Sequence, residues 1–209
     1  IIIVSGDPKS VFLEIFFKSI KEKKFKSPII LICSKNLLIK NMRKFNFKKK
    51  INLLKLNQIK EFNLNNSSIN LIDIKLNKNS NINQYIEKSF FTAFNIIKDG
   101  ITNKFINGPI SKKKFLKKKY LGITEYICNH FFIKKNAMLI YNKNLSVCPI
   151  TTHVPIKQVT KKITKENIKE KVQLIQKFYI KHFKYKPKIA ILGLNPHCES
   201  IEKFNEDER

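Results

Sequence analysis

Short apolar runs alternate along the chain with segments whose apolar residues recur at helical spacing. Residues 1–5 and 29–33 are almost continuously apolar, which is typical of strands covered on both faces. Between these two runs, the helical spacing is carried by Val11, Ile15, Phe16 and Ile20. The first third of the chain therefore predicts a strand, a helix and a second strand.

The same pattern, read along the rest of the chain, predicts an α/β fold. The predicted strands are residues 1–5, 29–33, 51–56, 69–74, 104–106, 137–141, 145–150 and 188–192. The predicted helices are residues 11–23, 36–45, 82–98, 111–120, 124–131 and 164–182, the last with Thr164 as its N-cap. Strands that alternate with helices indicate a mostly parallel sheet flanked by helices.

Length and composition fit one sizeable core. The chain has 209 residues, of which 43% are hydrophobic, enough for one core or for two lobes that share a sheet. No apolar run approaches the roughly 18 residues of a membrane span, and the first residues do not resemble a signal peptide. We therefore expect a cytoplasmic protein without a membrane partner. Because the chain does not begin with Met, we also expect its first residue or residues to be missing.

The charge is strongly basic, but its composition argues against nucleic-acid binding. Lys and Arg number 42 against 15 Asp and Glu, a net charge of +27. Only Arg43 and Arg209 are arginines, although base and phosphate recognition favours the bidentate arginine fork. Lys, Ile, Asn and Phe share A/T-rich codons, so a biased genome explains the excess. Residues 112–119 form the best basic patch, either as a solvated helix face or as a binding surface.

Four polar turns carry the candidate chemistry, and each follows a predicted strand. They are Gly6-Asp7-Pro8, Asn107-Gly108-Pro109-Ile110-Ser111-Lys112, Thr151-Thr152-His153 and Asn195-Pro196-His197. Ligands of parallel α/β sheets bind at the carboxyl ends of the strands. We therefore expect the four turns to converge on one site. Glycine and proline in these turns allow tight bends and close approach of the backbone to a ligand.

His153 and His197 are the candidate metal ligands. A neutral imidazole binds zinc and similar ions, and a catalytic ion needs about three protein ligands and an open position. Each histidine alone could equally be a hydrogen-bonded polar residue at a strand end; their matching placement favours the metal. The pair is still an incomplete ligand set. His130 and His182 fall inside predicted helices and are expected to be structural.

Thr124 lies at the start of a predicted helix, where two roles remain open. It either caps the helix or binds an anionic substrate group together with backbone N–H groups. The chain contains neither a G-x-G-x-x-G fingerprint nor a P-loop, and it has only five glycines. A Rossmann dinucleotide site is therefore not predicted.

Taken in order, five short motifs resemble those of one enzyme family. They are Gly6-Asp7-Pro8, Gly108-Pro109-Ile110-Ser111-Lys112, Gly122-Ile123-Thr124-Glu125, Thr151-Thr152-His153-Val154-Pro155 and Leu194-Asn195-Pro196-His197. Their order and rough spacing are similar to those of the 4-hydroxythreonine-4-phosphate dehydrogenase (PdxA) family of vitamin B6 biosynthesis. Each motif alone is weak to moderate, whereas five in order are specific.

This resemblance implies an isocitrate/isopropylmalate-dehydrogenase-like fold with two lobes, and a homodimer. It implies that NAD or NADP oxidises 4-phosphooxy-L-threonine, a small phosphorylated amino acid, to the 3-oxo acid, which then loses carbon dioxide to feed pyridoxal 5'-phosphate synthesis. It also implies a divalent metal (zinc, magnesium or cobalt) bound by His153 and His197, and a substrate contact from Thr124. No catalytic acid or base is assigned.

The chain departs from the family pattern at two places and at its end. The family's substrate-binding histidine before Thr124 is Ile123 here, and Lys9-Ser10-Val11-Phe12 replaces a small, glycine-containing run. The family continues beyond the position of Arg209, so the third metal ligand is expected there. We expect residues 1–209 to be a single incomplete catalytic unit, the N-terminal two-thirds of the fold, with a second lobe from about 107 to 185.

Three other functions remain open at this point. Ile123 favours a related dehydrogenase that acts on a different phosphorylated hydroxy acid. A non-catalytic relative would keep the fold without the activity. A basic nucleic-acid-binding protein is favoured by residues 112–119 and opposed by the shortage of arginine.

Overall fold

A computed structural model describes residues 1–56, 59, 64–77, 81–116 and 119–193 of the chain. The chain divides into two compact units, Ile1–Ile123 and Thr124–Arg209. The motif that contains His197 lies outside the described residues. The predicted second lobe, residues 107–185, stays a prediction.

The first unit is built on a parallel sheet. Among the described residues its strands are β1 (Ile2–Val4), β2 (Ile30–Cys33), β3 (Ile51–Leu53), β4 (Ile69–Asp73) and β5 (Phe105–Asn107). They pair in the order β3-β4-β2-β1-β5, and the pairings between neighbours are parallel. The predicted α/β class with a mostly parallel sheet is confirmed.

The helices follow the predicted pattern closely. They are α1 (Phe12–Glu22), α2 (Lys35–Lys44), α3 (Ile82–Lys98), α4 (Lys112–Phe115), α5 (Ile123–His130), α6 (Ile156–Lys162) and α7 (Lys165–Phe183) in the described part of the chain. Five of the predicted helices, all except 111–120, form with ends within about one residue of the prediction. As predicted, Thr164 caps α7, its side chain accepting a hydrogen bond from the Asn167 N–H at 3.2 Å.

The sheet of the first unit is covered on both faces. Ile3, Leu31 and Leu71 belong to one buried cluster with Leu13 and Phe17 of α1. Successive side chains of a strand point to opposite faces, so the intervening residues of β1 and β2 lie on the other face, where α3 contacts both strands. Burial on two faces explains why these strands are continuously apolar in sequence.

Three strand predictions in the second unit are wrong. Residues 137–141 and 145–150 are joined only by an isolated antiparallel bridge between Ile140 and Val147, and residues 188–192 form no strand. Leu145 and Leu192 are highly exposed. An apolar run becomes a strand only where a neighbouring backbone pairs with it, and among the described residues these runs have no further strand beside them.

Two helix predictions also need correction. Helix α6 follows Pro155, in a segment for which no helix was predicted. The helix predicted at 111–120 is observed as the short α4, and residues 117 and 118 lie outside the described part. Among the described residues, no helix combines the length and the hydropathy needed to cross a membrane.

Candidate active site

The carboxyl ends of β1 and β5 are the candidate ligand-binding position of the first unit. Strand β1 lies between β2 and β5, and the chain moves to opposite sides of β1 when it enters these two neighbours. Ligands of open α/β sheets bind at such a reversal of strand order. Gly6-Asp7-Pro8 follows β1 and Gly108-Pro109 follows β5, so two of the four predicted turns meet at this position.

The two turns touch each other through their backbones. The Asp7 N–H donates to the Pro109 carbonyl at 2.8 Å, and the Gly108 N–H donates to the Val4 carbonyl at 2.7 Å. A Cβ added to Gly6 would lie 2.3 Å from the Pro109 oxygen, and one added to Gly108 would lie 2.2 Å from the Ser5 oxygen. Glycine is therefore required at both positions for the turns to approach this closely.

Asp7 organises the turn that follows β1. Its Oδ1 accepts the Lys9 N–H at 2.9 Å, and its carbonyl accepts the Ser10 N–H at 3.0 Å. These bonds make Gly6-Asp7-Pro8 a compact turn even though it continues into Lys9-Ser10, where the sequence leaves the family pattern.

A buried polar network lies under this edge of the sheet. The Tyr85 hydroxyl of α3 lies 3.2 Å from the Ser5 Oγ and accepts the Ser34 N–H at 3.0 Å. Ser5 directly follows β1, and Ser34 follows β2 and caps α2 by accepting the Leu37 N–H. The network thus joins the carboxyl ends of two adjacent strands to one helix.

Burial keeps Tyr85 neutral, together with Cys33, whose thiol donates to the Ser34 carbonyl at 3.5 Å. It raises the pKa of the Cys33 thiol to about 11, and it raises the pKa of the Tyr85 phenol well above its ordinary value. Tyr85 therefore keeps its proton near neutral pH and can donate as well as accept. The network holds the backbone in place through neutral hydrogen bonds.

Sequence reasoning did not identify Tyr85, Ser5 or Ser34. A signal was present, because a tyrosine on the apolar face of a confident helix needs a partner for its hydroxyl when it is buried. Serines placed immediately after two apolar strands are the natural partners. Asp73 follows the same logic after β4, since its Oδ1 accepts the Lys35 N–H at the start of α2 at 2.7 Å.

In the second unit, Thr124 lies in the first turn of α5. The helix begins at Ile123, so Thr124 is its second residue rather than its N-cap. Glu125 follows in the same turn. The substrate contact predicted for Thr124 stays a prediction.

His153 is placed differently from the prediction. It does not follow a strand of the sheet, because residues 145–150 contribute only the isolated bridge. Its side chain is exposed and its backbone has a φ of 57°, in the left-handed region. The predicted placement directly after a strand is therefore wrong for His153, and His197 lies outside the described residues. Metal binding by the two histidines stays a prediction.

The described residues do not contain a complete metal site. No group of three or more His, Cys, Asp or Glu side chains is placed there to hold an ion. The donor chemistry of His153 fits one position of a ligand set, since an exposed imidazole can bind a divalent transition metal.

Comparison with protein families identifies relatives across the chain. A family model described as pyridoxal phosphate biosynthetic protein PdxA matches residues 24–209. The 4-hydroxythreonine-4-phosphate dehydrogenase of Aquifex aeolicus (strain VF5) is 29% identical over 99% of the chain, and that of Sulfurihydrogenibium sp. (strain YO3AOP1) is 34% identical over 99%. The chain spans 66% of the length of each of these two relatives.

Solved structures confirm the fold. The crystal structure of 4-hydroxythreonine-4-phosphate dehydrogenase from Klebsiella pneumoniae superposes with a TM-score of 0.78 and 21% identity. The match covers 94% of this chain and 63% of that one. A putative 4-hydroxythreonine-4-phosphate dehydrogenase from Salmonella typhimurium gives the same TM-score at 20% identity. The isocitrate/isopropylmalate-dehydrogenase-like fold is thereby confirmed.

Proposed function

Because the chain belongs to the pyridoxal phosphate biosynthetic protein PdxA family, we propose that the protein from its complete gene is an NAD(P)-dependent 4-hydroxythreonine-4-phosphate dehydrogenase. The single observation that carries the proposal is the family match over residues 24–209. That range contains the motifs around Gly108, Thr124, His153 and His197.

The proposed reaction oxidises the secondary alcohol of 4-phosphooxy-L-threonine. The carbinol hydrogen leaves as a hydride to NAD+ or NADP+, the hydroxyl proton is released, and a ketone forms. The resulting 3-oxo acid loses its carboxylate as carbon dioxide, and a proton replaces it. A bound divalent ion supplies Lewis-acid polarisation of the reacting oxygen.

The residues of the chain would bind and orient the substrate. We assign Thr124 to an anionic group of the substrate, supported by its place in the first turn of α5, where backbone N–H groups and the helix dipole favour negative charge. The Gly6 and Gly108 turns hold backbone groups at the reversal of strand order in the first unit, where ligands of this fold class bind.

We assign His153 and His197 as metal ligands. The left-handed backbone of His153 supports this role, because unfavourable backbone conformations cluster at ligand-binding positions. His197 contributes the second imidazole from its Asn-Pro-His motif. We also propose that the protein acts as a homodimer, as the family resemblance implies.

A related dehydrogenase for another phosphorylated hydroxy acid is the second candidate. Ile123 favours it, because an isoleucine side chain cannot donate a hydrogen bond to phosphate or carboxylate. Ile123 occupies the first position of α5, directly before Thr124. Replacing the family's histidine there would therefore remove a contact to the substrate group that Thr124 is proposed to bind. The two candidates share the fold and the hydride chemistry and differ only in substrate.

An absorbance assay separates the candidates. The protein from its complete gene is given NAD+ or NADP+, one of the three divalent metals, and either 4-phosphooxy-L-threonine or a panel of other phosphorylated 2- and 3-hydroxy acids. We expect NAD(P)H to form fastest with 4-phosphooxy-L-threonine, and unphosphorylated 4-hydroxy-L-threonine serves as the control. Faster turnover of another acid would support the second candidate, and no turnover of any would indicate a non-catalytic relative.

A further inference from the structure

The Tyr85 hydroxyl of α3 contacts the residues that directly follow β1 and β2, Ser5 and Ser34. The side chain of Tyr85 is 2% exposed, although it carries a hydroxyl. A buried hydroxyl without a partner is unfavourable, so its two hydrogen bonds are needed in the folded state. They fix the orientation of the phenol beneath the sheet edge.

The two partners of Tyr85 lie next to functional segments. Ser5 directly precedes Gly6, and Gly6 begins the turn that contacts Pro109. Ser34 is the N-cap of α2 and the first residue after β2. The Tyr85 hydroxyl therefore adds a side-chain link between the ends of β1 and β2, beside the backbone bond from the Ser5 N–H to the Ile32 carbonyl at 3.2 Å.

The backbone contact between the turns makes this spacing sensitive. The Val4 carbonyl accepts the Gly108 N–H at 2.7 Å, and the Asp7 N–H donates to the Pro109 carbonyl at 2.8 Å. These two bonds lie on either side of Ser5 and Gly6 in the chain. A change at Ser5 is therefore passed directly to Gly6 and to the Pro109 carbonyl. Close-packed interiors transmit strain, so a displacement at Ser5 is expected to reach these turns.

We propose that Tyr85 is a positioning residue for the dehydrogenase reaction, acting through Ser5 and Ser34 on the Gly6 and Gly108 turns. The inference rests on the proposed function. It adds a residue outside the five motifs, and the role proposed for this buried side chain is to support the turns. Its hydroxyl keeps the turn backbone where a bound ligand meets it, and small displacements at such positions reduce rates by up to about 100-fold.

The test is a double-mutant cycle on the protein from its complete gene. Tyr85→Phe removes the hydroxyl and keeps the ring, Ser5→Ala removes one partner, and the double variant removes both. Ser89→Ala is the matched control: it deletes another buried hydrogen bond of α3, from Ser89 Oγ to the Tyr85 carbonyl at 2.8 Å, without touching Ser5 or Ser34. Both kcat/KM per folded molecule and Tm are measured for each.

We expect Tyr85→Phe to lower kcat/KM by on the order of 10-fold or more. Ser5→Ala should also lower kcat/KM, but by less, because it removes only one of the two hydrogen bonds. The double variant should match Tyr85→Phe within about twofold, because both changes break the same bond. Ser89→Ala should leave kcat/KM unchanged, because it touches neither Ser5 nor Ser34. If Tyr85→Phe does not fold, Ser5→Ala, which keeps the Ser34 bond, still carries the test.

Two results would overturn the inference. An active wild type with Tyr85→Phe, or with Ser5→Ala if Tyr85→Phe does not fold, at wild-type kcat/KM and a lowered Tm would show that the network is only structural. Fully additive losses in the double variant would show that Tyr85 and Ser5 act separately. Absence of turnover in the wild type would instead overturn the proposed function, and this inference with it.

Discussion

At the scale of single residues, Gly6 and Gly108 allow the two turns of the candidate site to contact each other. Alanine at Gly6 adds a left-handed penalty of about 1–2 kcal/mol at φ 74° and a clash with the Pro109 carbonyl. Gly100→Ala is the matched control, since Gly100 has a φ of 72° but no atom within 4 Å of an added Cβ. Urea unfolding should show a loss for Gly6→Ala about 1–3 kcal/mol larger than for Gly100→Ala. Equal losses would show that the turns are not in contact.

Because Cys33 is buried, we expect the protein to lose stability at alkaline pH. Burial raises the folded pKa of Cys33 from 9.0 to about 11, so the folded state holds this proton more tightly than the unfolded state. The resulting stability is fully present below about pH 9 and falls as the pH rises from about 9 to 11. Urea unfolding at pH 8 and pH 10.5 should therefore show a smaller loss in Cys33→Ala than in wild type. The same loss in both would contradict the buried, neutral thiol.

Residue-scale features were only partly predictable from sequence. Gly6-Asp7-Pro8 and Gly108-Pro109 stand out because glycine and proline mark tight turns, and the structure brings them together. Tyr85 was missed because helical periodicity counts it as another apolar position. Its role depends on a contact with Ser5, which is 80 residues away in sequence. A pattern read over a short window of sequence cannot reveal such a contact.

At the scale of elements, helix α3 shows why some segments are predictable. Its apolar residues repeat at helical spacing over 17 residues, Asn81 caps its start and Gly100 follows its end. Residues 145–150 are equally apolar but short, and periodicity does not reveal whether another strand lies beside them. Local signals therefore predict a long amphipathic helix, whereas a short strand depends on partners elsewhere in the chain.

The same helix gives a prediction about how the β5 turn is supported. Phe90 is 0% exposed, and its ring packs against Phe94, Phe105 and Phe115 at 5.7–5.8 Å between centroids. Phe90→Ala should lower the free energy of unfolding by about 3–5 kcal/mol, because it opens a cavity beneath β5.

Phe91→Ala is the matched control for that measurement. Phe91 is the next residue of the helix and is 43% exposed, so its removal should lower stability by less than about 1 kcal/mol. Denaturant midpoints of the two variants at constant slope give the comparison. Similar losses for both would contradict the packing of α3 against β5.

At the scale of the whole molecule, family membership and fold agree. The parallel sheet was predictable because strands alternate with helices along the chain, and the motifs were visible because each is a short contiguous stretch of sequence. The expectation that four turns follow strands of one sheet is wrong for two of them, because residues 145–150 and 188–192 form no strands. The proposal that His153 and His197 bind a metal is therefore supported by the family motifs and not by their position after strands.

The most direct measurement is the initial rate of NAD(P)H formation by the protein from its complete gene, before chelation, after chelation and after metal is restored. Three proteins are compared: wild type, His153→Ala, and the control His182→Ala, which alters an exposed histidine of α7. We expect wild type and His182→Ala to lose the rate on chelation and to regain it when metal is restored. His153→Ala should stay on the order of 100-fold slower throughout. Turnover of 4-phosphooxy-L-threonine that survives chelation, with His153→Ala at the wild-type rate, would contradict it.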